Sequence, residues 1–321
     1  MAFGHKSFIG IGAESTWGTA VARTKFLELV KGGDGIDLEE EAMLSNSIAT
    51  IGHDEAKHYA QGKISVAGPL IFEFPEEGAE LLLKNAFGSV ATAVPGGGTN
   101  SREHTFTIAD ALPTGLTVEI HKDAPGGSPS FIYSGCKVNQ LEFAIGLDDR
   151  LRCTAQIVGK DVAKGAKSSE TLPTRRPFHF ADAVCKWAGS QVEVSEAKIT
   201  LNNNLDVERR FIGSRLIKEP IRGGSKVAVT FSFTMEFDSI TQFDDWRAAT
   251  KRVLELTFTG EIIEGAIPYK LQLLCNVSRL TKAHPLINDG GRVTYEIAGM
   301  AFRDATDKEL KAILTNTVTS V

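Results

Sequence analysis

The sequence has no excess of positive charge: 35 Lys and Arg stand against 40 Asp and Glu, a net charge of -5 at pH 7. That balance excludes a chain built to grip phosphate backbones, because such binding needs clustered cations to displace counterions. No apolar run approaches the roughly 18 to 20 consecutive residues of a membrane helix, and the opening MAFGHKSFIG lacks a long apolar core behind a basic segment. Neither membrane insertion nor secretion is expected. The four cysteines, Cys136, Cys153, Cys185 and Cys275, form no CxxC pair. Buried, inert thiols in a reducing compartment are therefore expected, in place of disulfides. Aromatics that could line a sugar-binding cleft are scarce, with four Tyr and three Trp in the whole chain.

What is present reads as strand and turn. Glycine (31) outnumbers proline (11) nearly threefold, and 42% of residues are hydrophobic. The apolar segments are short, rich in Val, Ile, Phe and Thr, and broken by Gly, Asn and Asp. A mainly β chain follows, with material for one large core or two ordinary ones.

Internal similarity is the most informative feature. Lys63, Ser65, Ala67, Pro69, Ile71 and Glu73 alternate with Ile64, Val66, Gly68, Leu70, Phe72 and Phe74. Adding 163 to each number gives Lys226, Ala228, Thr230, Ser232, Thr234 and Glu236 alternating with Val227, Val229, Phe231, Phe233, Met235 and Phe237. The same offset sets Ile36 and Leu38 on Ile199 and Leu201. Further on, Leu116, Val118 and Ile120 correspond to Leu254, Leu256 and Phe258 at an offset of 138. Cys136, Val138 and Leu141 match Cys275, Val277 and Leu280 at 139, and Thr154, Ile157 and Gly159 match Thr294, Ile297 and Gly299 at 140. The drop in offset means that the first copy carries about two dozen extra residues, expected as a loop insertion around the Gly-rich stretch 94–100. Period-2 patterning is generic and would explain any one match; five matches in order point to duplication.

Each copy also has a helix candidate after its long strand. In the first, Pro75 with Glu76 and Glu77 reads as a start, Leu81, Leu82 and Phe87 as the apolar stripe and Gly88 as the stop. In the second, Asp238 or Ser239 reads as the cap of a helix carrying Ile240, Phe243 and Trp246. The segment 160–176, rich in Lys, Gly, Ser and Thr, separates the copies. The expected organisation is two tandem β-sandwich or barrel domains, 1–165 and 177–321, each with one flanking helix, joined by a linker at 166–176.

A strand of about twelve residues spans roughly 40 Å, well beyond the usual five or six residues. One face of each long strand is apolar and can pack on a core. The other, Lys63, Ser65, Ala67 and Glu73 in the first copy and Lys226, Ala228, Thr230, Ser232, Thr234 and Glu236 in the second, is small and polar without being strongly cationic. Such a face serves an ordinary solvated sandwich, or, with many strands side by side, the hydrated wall of a channel.

The N-terminal run GIGAESTWGTAVARTKFLEL, with Glu14, Thr16, Trp17, Gly18 and Thr19, followed by strand, long loop, strand and helix, resembles the siphophage major tail tube proteins over most of the chain. The motif is short and made of common residues, and its weight comes from agreeing with the downstream plan. The resemblance implies a β-sandwich with a flanking helix, and subunits forming stacked rings whose inner strands join into one barrel through which double-stranded DNA passes without sticking. It implies that the loops at 39–62 and 202–224 reach the neighbouring ring, which marks Ile51, Gly52, Ile212 and Gly213 as candidate contacts between rings. Trp17, beside Gly18 in a Gly- and Thr-rich arm, is either an intrachain plug or an anchor at a subunit interface, where Trp is favoured. The resemblance further implies self-association, tape-measure and tail terminator proteins as partners, and a place in the virion tail after synthesis in the host bacterial cytoplasm. Most members supply one tube domain per chain and form hexamers. Two domains per chain imply a trimeric ring with pseudo-sixfold symmetry, and a hexamer if the duplication is wrong. Six domains with four inner strands each give about 24 strands, hence a backbone diameter of roughly 45 to 50 Å, wide enough for a duplex after side chains are counted.

Sites of other kinds find little support. Gly10-Ile11-Gly12-Ala13-Glu14-Ser15 is half a dinucleotide fingerprint without its third glycine or a βαβ pattern. Among the histidines His53 and His58 are closest, with no cysteine at metal spacing beside them, and no metal or cofactor is expected. Asp148-Asp149 reads as hairpin-turn chemistry and Asp244-Asp245 as a helix start. Ser134-Gly135 and Gly213-Ser214 lack the nucleophile-elbow pattern. No convergent acid and base set appears, so a hydrolase or lyase is disfavoured. The competing reading is a β-sandwich carbohydrate-binding or adhesion module of a virion surface, which predicts a monomer or small oligomer with an aromatic-lined cleft.

Overall fold

Alternating burial along the chain is realised in a computed structural model that describes residues 4–44, 59–123, 129–224, 226–285, 287 and 291–321. Its strands are β1 (Phe8–Ala13), β2 (Lys25–Glu28), β3 (Asp37–Leu44), β4 (Tyr59–Glu73), β5 (Gly88–Ala93), β6 (Arg102–Ile108), β7 (Leu116–His121), β8 (Ser130–Gly146) and β9 (Arg152–Gly159). They continue as β10 (Asp161–Gly165), β11 (Ala183–Trp187), β12 (Ser190–Val192), β13 (Val194–Asn202), β14 (Ala228–Glu236), β15 (Arg252–Glu264), β16 (Ile267–Lys282), β17 (Thr294–Ala301) and β18 (Lys311–Asn316). Two short helices, α1 (Glu80–Phe87) and α2 (Thr241–Arg247), follow β4 and β14. The fold is mainly β, one antiparallel network of 18 strands.

The order of pairing recurs. β1 pairs with β2 and β7, β7 with β8, β8 with β9 and β10, and β9 with β4, which pairs with β3. Later in the chain β11 pairs with β12 and β15, β15 with β16, β16 with β17 and β18, and β17 with β14, which pairs with β13. The offset of 163 holds in the register itself, since Leu38 faces Val66 and Leu201 faces Val229. At the next pair the register departs from the expectation. Val66 faces Gly159 but Val229 faces Ala301, so the partners are 142 apart, not the 140 read from Gly159 and Gly299. A slide of two residues leaves every side chain on its own face, and Ile157 and Ile297 are both buried.

The extra residues of the first part form a hairpin, where a loop was expected. β5 and β6 pair around a tip at 94–101, and β6 then pairs with β18. The Glu264 carboxylate receives the N–H groups of Thr99, Asn100 and Ser101 at 2.7 to 2.9 Å and the Ser101 hydroxyl at 2.6 Å, which fastens the tip to the end of β15. A second join runs through β8 and β13, with Leu141 facing Leu201. β8 and β16, of 17 and 16 residues, are long enough to serve two sets of neighbours. The first part of β8 pairs with β7 and β10, and its last part with β9 and β13. The outcome is an unbroken run of eight strands, β3-β4-β9-β8-β13-β14-β17-β16.

The first helix is shorter than its sequence signal, and the second begins one residue later than its own. Pro75 bridges Pro177 and does not open α1, whose first residue is Glu80. The buried Glu80 carboxylate accepts the Gly78 N–H at 2.9 Å and the Asn316 side-chain amide at 2.7 Å, so a contact from the far end of the chain sets the start. Gly88 ends α1 as expected, at φ 102, a left-handed conformation that costs a residue with a Cβ. In α2 the Ser239 hydroxyl accepts the Thr241 N–H at 3.2 Å, but Ile240 is 59% exposed and the buried residues are Gln242 and Asp245. Asp245 is held there by the Trp187 indole N–H at 3.0 Å and by Arg252 at 2.8 Å. Trp187 and Trp246 both pack on the core. The stretch 160–176 is tied down, not a free tether: β10 lies within it, Ser168 bonds the Glu119 carboxylate, and Arg176 grips Asp182 at 2.7 Å.

Candidate functional site

One face of the eight-strand run is the roof of the core and the other is polar. On β14, Val229, Phe231, Phe233 and Met235 are buried while Ala228, Thr230, Ser232, Thr234 and Glu236 are exposed or half-exposed. Phe231 and Phe233 pack against Trp187 of β11, with ring centroids 6.0 and 6.3 Å away. On β4, Val66, Leu70 and Phe72 are buried, with Lys63, Ser65, Ala67 and Glu73 on the opposite side. Lys226 precedes β14 and is exposed.

Register extends that polar face across the sheet. Ser65 faces Glu39, Glu73 faces Arg152, Thr230 faces Thr200 and Met300, and Ser232 faces Lys198 and Ala298. Thr200 in turn faces Glu142. Thr154, Gln156, Glu142, Lys198, Thr200 and Glu296 thus share the face, and reasoning from one strand per copy missed them. Their signal was the same alternation in RCTAQIVG and SEAKITLN. Acids and bases are interleaved: Lys198 meets Glu142 at 2.8 Å, Lys282 meets Glu296 at 2.8 Å, Arg150 meets Glu73 at 2.6 Å, and Arg292 pairs with Glu236. Such a surface is wet and locally neutralised, with no cluster of cations to seize a phosphate.

Convergent chemistry is not what the described residues offer. The run from Gly10 to Ala13 lies in β1, extended and largely buried, with no turn to cradle a phosphate. His104 is buried against Thr92, Asn316 and the Val318 carbonyl, and His121 against Ser130; burial pushes both imidazoles below their ordinary value. His53 and His58 lie outside the described residues. Asp148 sits at φ 60 in the β8–β9 turn, and Asp149 accepts the Arg150 N–H, which is turn chemistry. Among the described residues no group of three or more His, Cys, Asp or Glu could hold a metal ion. The four cysteines are free and buried, and burial raises every thiol, those of Cys185 and Cys275 to about 12. A groove of about 720 Å³ beside β14, lined by Ile108, Arg222, Val227, Met300 and Phe302 among others, has a single aromatic ring in its wall.

The family of phage tail tube proteins matches the chain over residues 4–301. The chain belongs to the phage tail tube protein family. That family is a structural one, with a role in the virion tail. Among curated proteins no relative matches the chain.

In this tail tube protein the N-terminal motif is a latch. Glu14, 6% exposed, accepts the Gly18 N–H at 2.7 Å, the Gly135 N–H at 2.8 Å and the Thr117 hydroxyl at 2.9 Å. Trp17 donates its indole N–H to the Gly135 carbonyl at 3.1 Å, and the Lys160 ammonium lies 5.1 Å from its ring. Gly18 sits at φ 73, where a Cβ would fall 2.4 Å from the Lys160 side chain. Trp17 and Gly18 are thus engaged inside their own chain. Ile51 and Gly52 lie outside the described residues. The second loop is described and lies against β3 and β4: Arg215 bonds the Gly62 carbonyl, Gln61 and Glu40, and Arg210 bonds the Ile64 carbonyl and Ser65. Its tip projects, with Ile212 103% exposed beside Phe211 at 61% and Gly213 in open space.

Proposed function

We propose that this tail tube protein carries two tube domains, 1–165 and 177–321 joined by 166–176, and that three chains close a ring of pseudo-sixfold symmetry. Rings stack into a tube whose bore passes double-stranded DNA. The observation that carries the reading is the eight-strand run with one apolar face packed on the core and one small, polar face of interleaved charge. Recurrence of the pairing order in the two parts of the chain supports duplication, with four strands of the run coming from each.

Lys63, Ser65, Ala67, Glu73, Lys226, Ala228, Thr230, Ser232, Thr234 and Glu236 face the bore, together with their register partners. A wall making several phosphate contacts would hold DNA with a steep salt dependence, and paired charges avoid that. Contact between rings falls to the projecting tip at Ile212 and Gly213, because the rings and polar atoms of the Trp17–Gly18 turn already have partners in the chain. Tape-measure and tail terminator proteins are the further partners, and the protein is made in the host cytoplasm before joining the virion tail. Negative-stain imaging of the purified protein tests the reading: hollow rods with three chains per ring are expected, and compact monomers at high concentration would sink it in favour of a β-sandwich module.

A further inference from the structure

The eight-strand run ends in two edges that carry no further strand among the described residues. There β3 pairs only with β4, and from Arg279 onward β16 pairs only with β17. Backbone direction can be followed along both. The Gly35 N–H reaches the Pro69 carbonyl and the Ile71 N–H reaches Gly33, so odd-numbered residues here point to β4 and Leu38 points outward. The outward Leu38 N–H is met by the carboxylate of Asp37, at 2.8 Å, and by no other acceptor among the described residues. On the other edge the Phe302 N–H bonds the Val277 carbonyl at 2.7 Å, so Arg279 points to β17 and Leu280 points outward.

The chain contains a template for joining two such edges. Inside it β8 is followed by β13, with Leu141 facing Leu201 and Gln140 facing Asn202, and the Asn203 N–H bonding the Asn139 carbonyl at 2.7 Å. Leu141 corresponds to Leu280 at the offset of 139, and Leu201 to Leu38 at 163. We infer that the end of β16 in one copy adds to β3 of a second copy in the register of that internal junction, Leu280 facing Leu38 and Arg279 facing Glu39. This deepens the tube reading and rests on it.

Three features fit the occupant. Leu38 is 42% exposed on the core side of the sheet while Leu280 is 2% exposed, so the pairing covers an apolar side chain that the lone chain leaves wet. Glu39 and Arg279 are exposed and have no ion pair among the described residues, and the seam sets them opposite each other. The two edges also differ, one carrying Asp37, Glu39, Glu40 and Glu41 and the other Arg279 and Lys282. Unlike edges join head to tail, a contact that differs from a two-fold dimer and gives a ring where the rotation between copies closes.

Paired cysteines test the register. Glu39 and Arg279 would form a non-hydrogen-bonded pair with Cα atoms about 4.5 Å apart, within disulfide reach, whereas a slip of two residues moves them by roughly 7 Å. Chains with Glu39→Cys mixed with chains with Arg279→Cys should give disulfide-linked dimers. The double variant should give covalently closed oligomers at least about tenfold faster than Asp37→Cys or Glu41→Cys combined with Arg279→Cys. Glu39→Arg should raise the concentration needed for assembly about fivefold, and Arg279→Glu in the same chain should restore it. Rods that assemble but cross-link fastest at a control pair, or at none, overturn the seam and leave the tube intact. If the unmodified protein makes no rods and the variants no cross-links, both fail.

Discussion

At the scale of residues, the Glu14 carboxylate holds the N-terminal arm to the sheet through two backbone N–H groups and one hydroxyl. Removing it strands buried donors, each costing about 1 to 3 kcal/mol. Glu14→Ala should therefore lower unfolding free energy by about 3 kcal/mol in denaturant titration, and Glu14→Gln by less. The cysteines set a second expectation: burial raises each thiol, so none should react with an alkylating reagent at pH 8 until the chain unfolds. A third concerns pH. Burial lowers His104 and His121 below 6.5, so the unfolded chain takes up protons first. Their contribution is complete above the unfolded value of 6.5 and is lost as pH falls through the folded values. Melting temperature should drop on acidification from pH 7 to pH 5, less steeply in His104→Gln. Which of these groups mattered could not be seen locally, since the partners of Glu14 lie at Thr117 and Gly135, about a hundred residues away in sequence.

At the scale of elements, strand identity and the facing of side chains were legible from alternation, because period 2 is a local property that survives any change of neighbour. Ends were not. α1 begins at Glu80, five residues past the proline that looked like its start, because Asn316 and Gly78 bond the Glu80 carboxylate. The hairpin β5–β6 looked like a loop, its strands being short and its tip Gly-rich, and only pairing with β18 makes it part of the sheet. Glu264 pins that tip, so Glu264→Gln should speed hydrogen exchange at 95–101 while leaving the rest of the chain protected. The exposed tip of the second loop carries the opposite expectation. Ile212→Asp removes no intrachain packing, so stability should change by no more than about 0.5 kcal/mol. Rod length measured by electron microscopy should fall sharply, and rods of normal length would remove this tip from the ring contact.

At the scale of the whole molecule, a polar face proposed to line a bore must repel its cargo no more than it attracts it, and interleaved charge does both weakly. Two lysines added on the polar face, Thr230→Lys with Thr234→Lys, should leave rods intact and slow DNA release from tailed particles at low salt, with recovery as salt rises. Unchanged release at every salt concentration would place this face away from the DNA path. Composition and alternation by themselves determined that the chain is mainly β, that its thiols lie buried, and which side of each long strand is wet, because each depends only on the order of apolar and polar residues along a strand. Tertiary structure alone decided that β8 continues into β13, that β17 sits two residues further along than its sequence match suggested, and that the sheet ends in one acidic and one basic edge. Hydrogen bonds between strands join residues far apart in the chain, and a slide of two residues preserves every face, so no pattern within a single strand can record it.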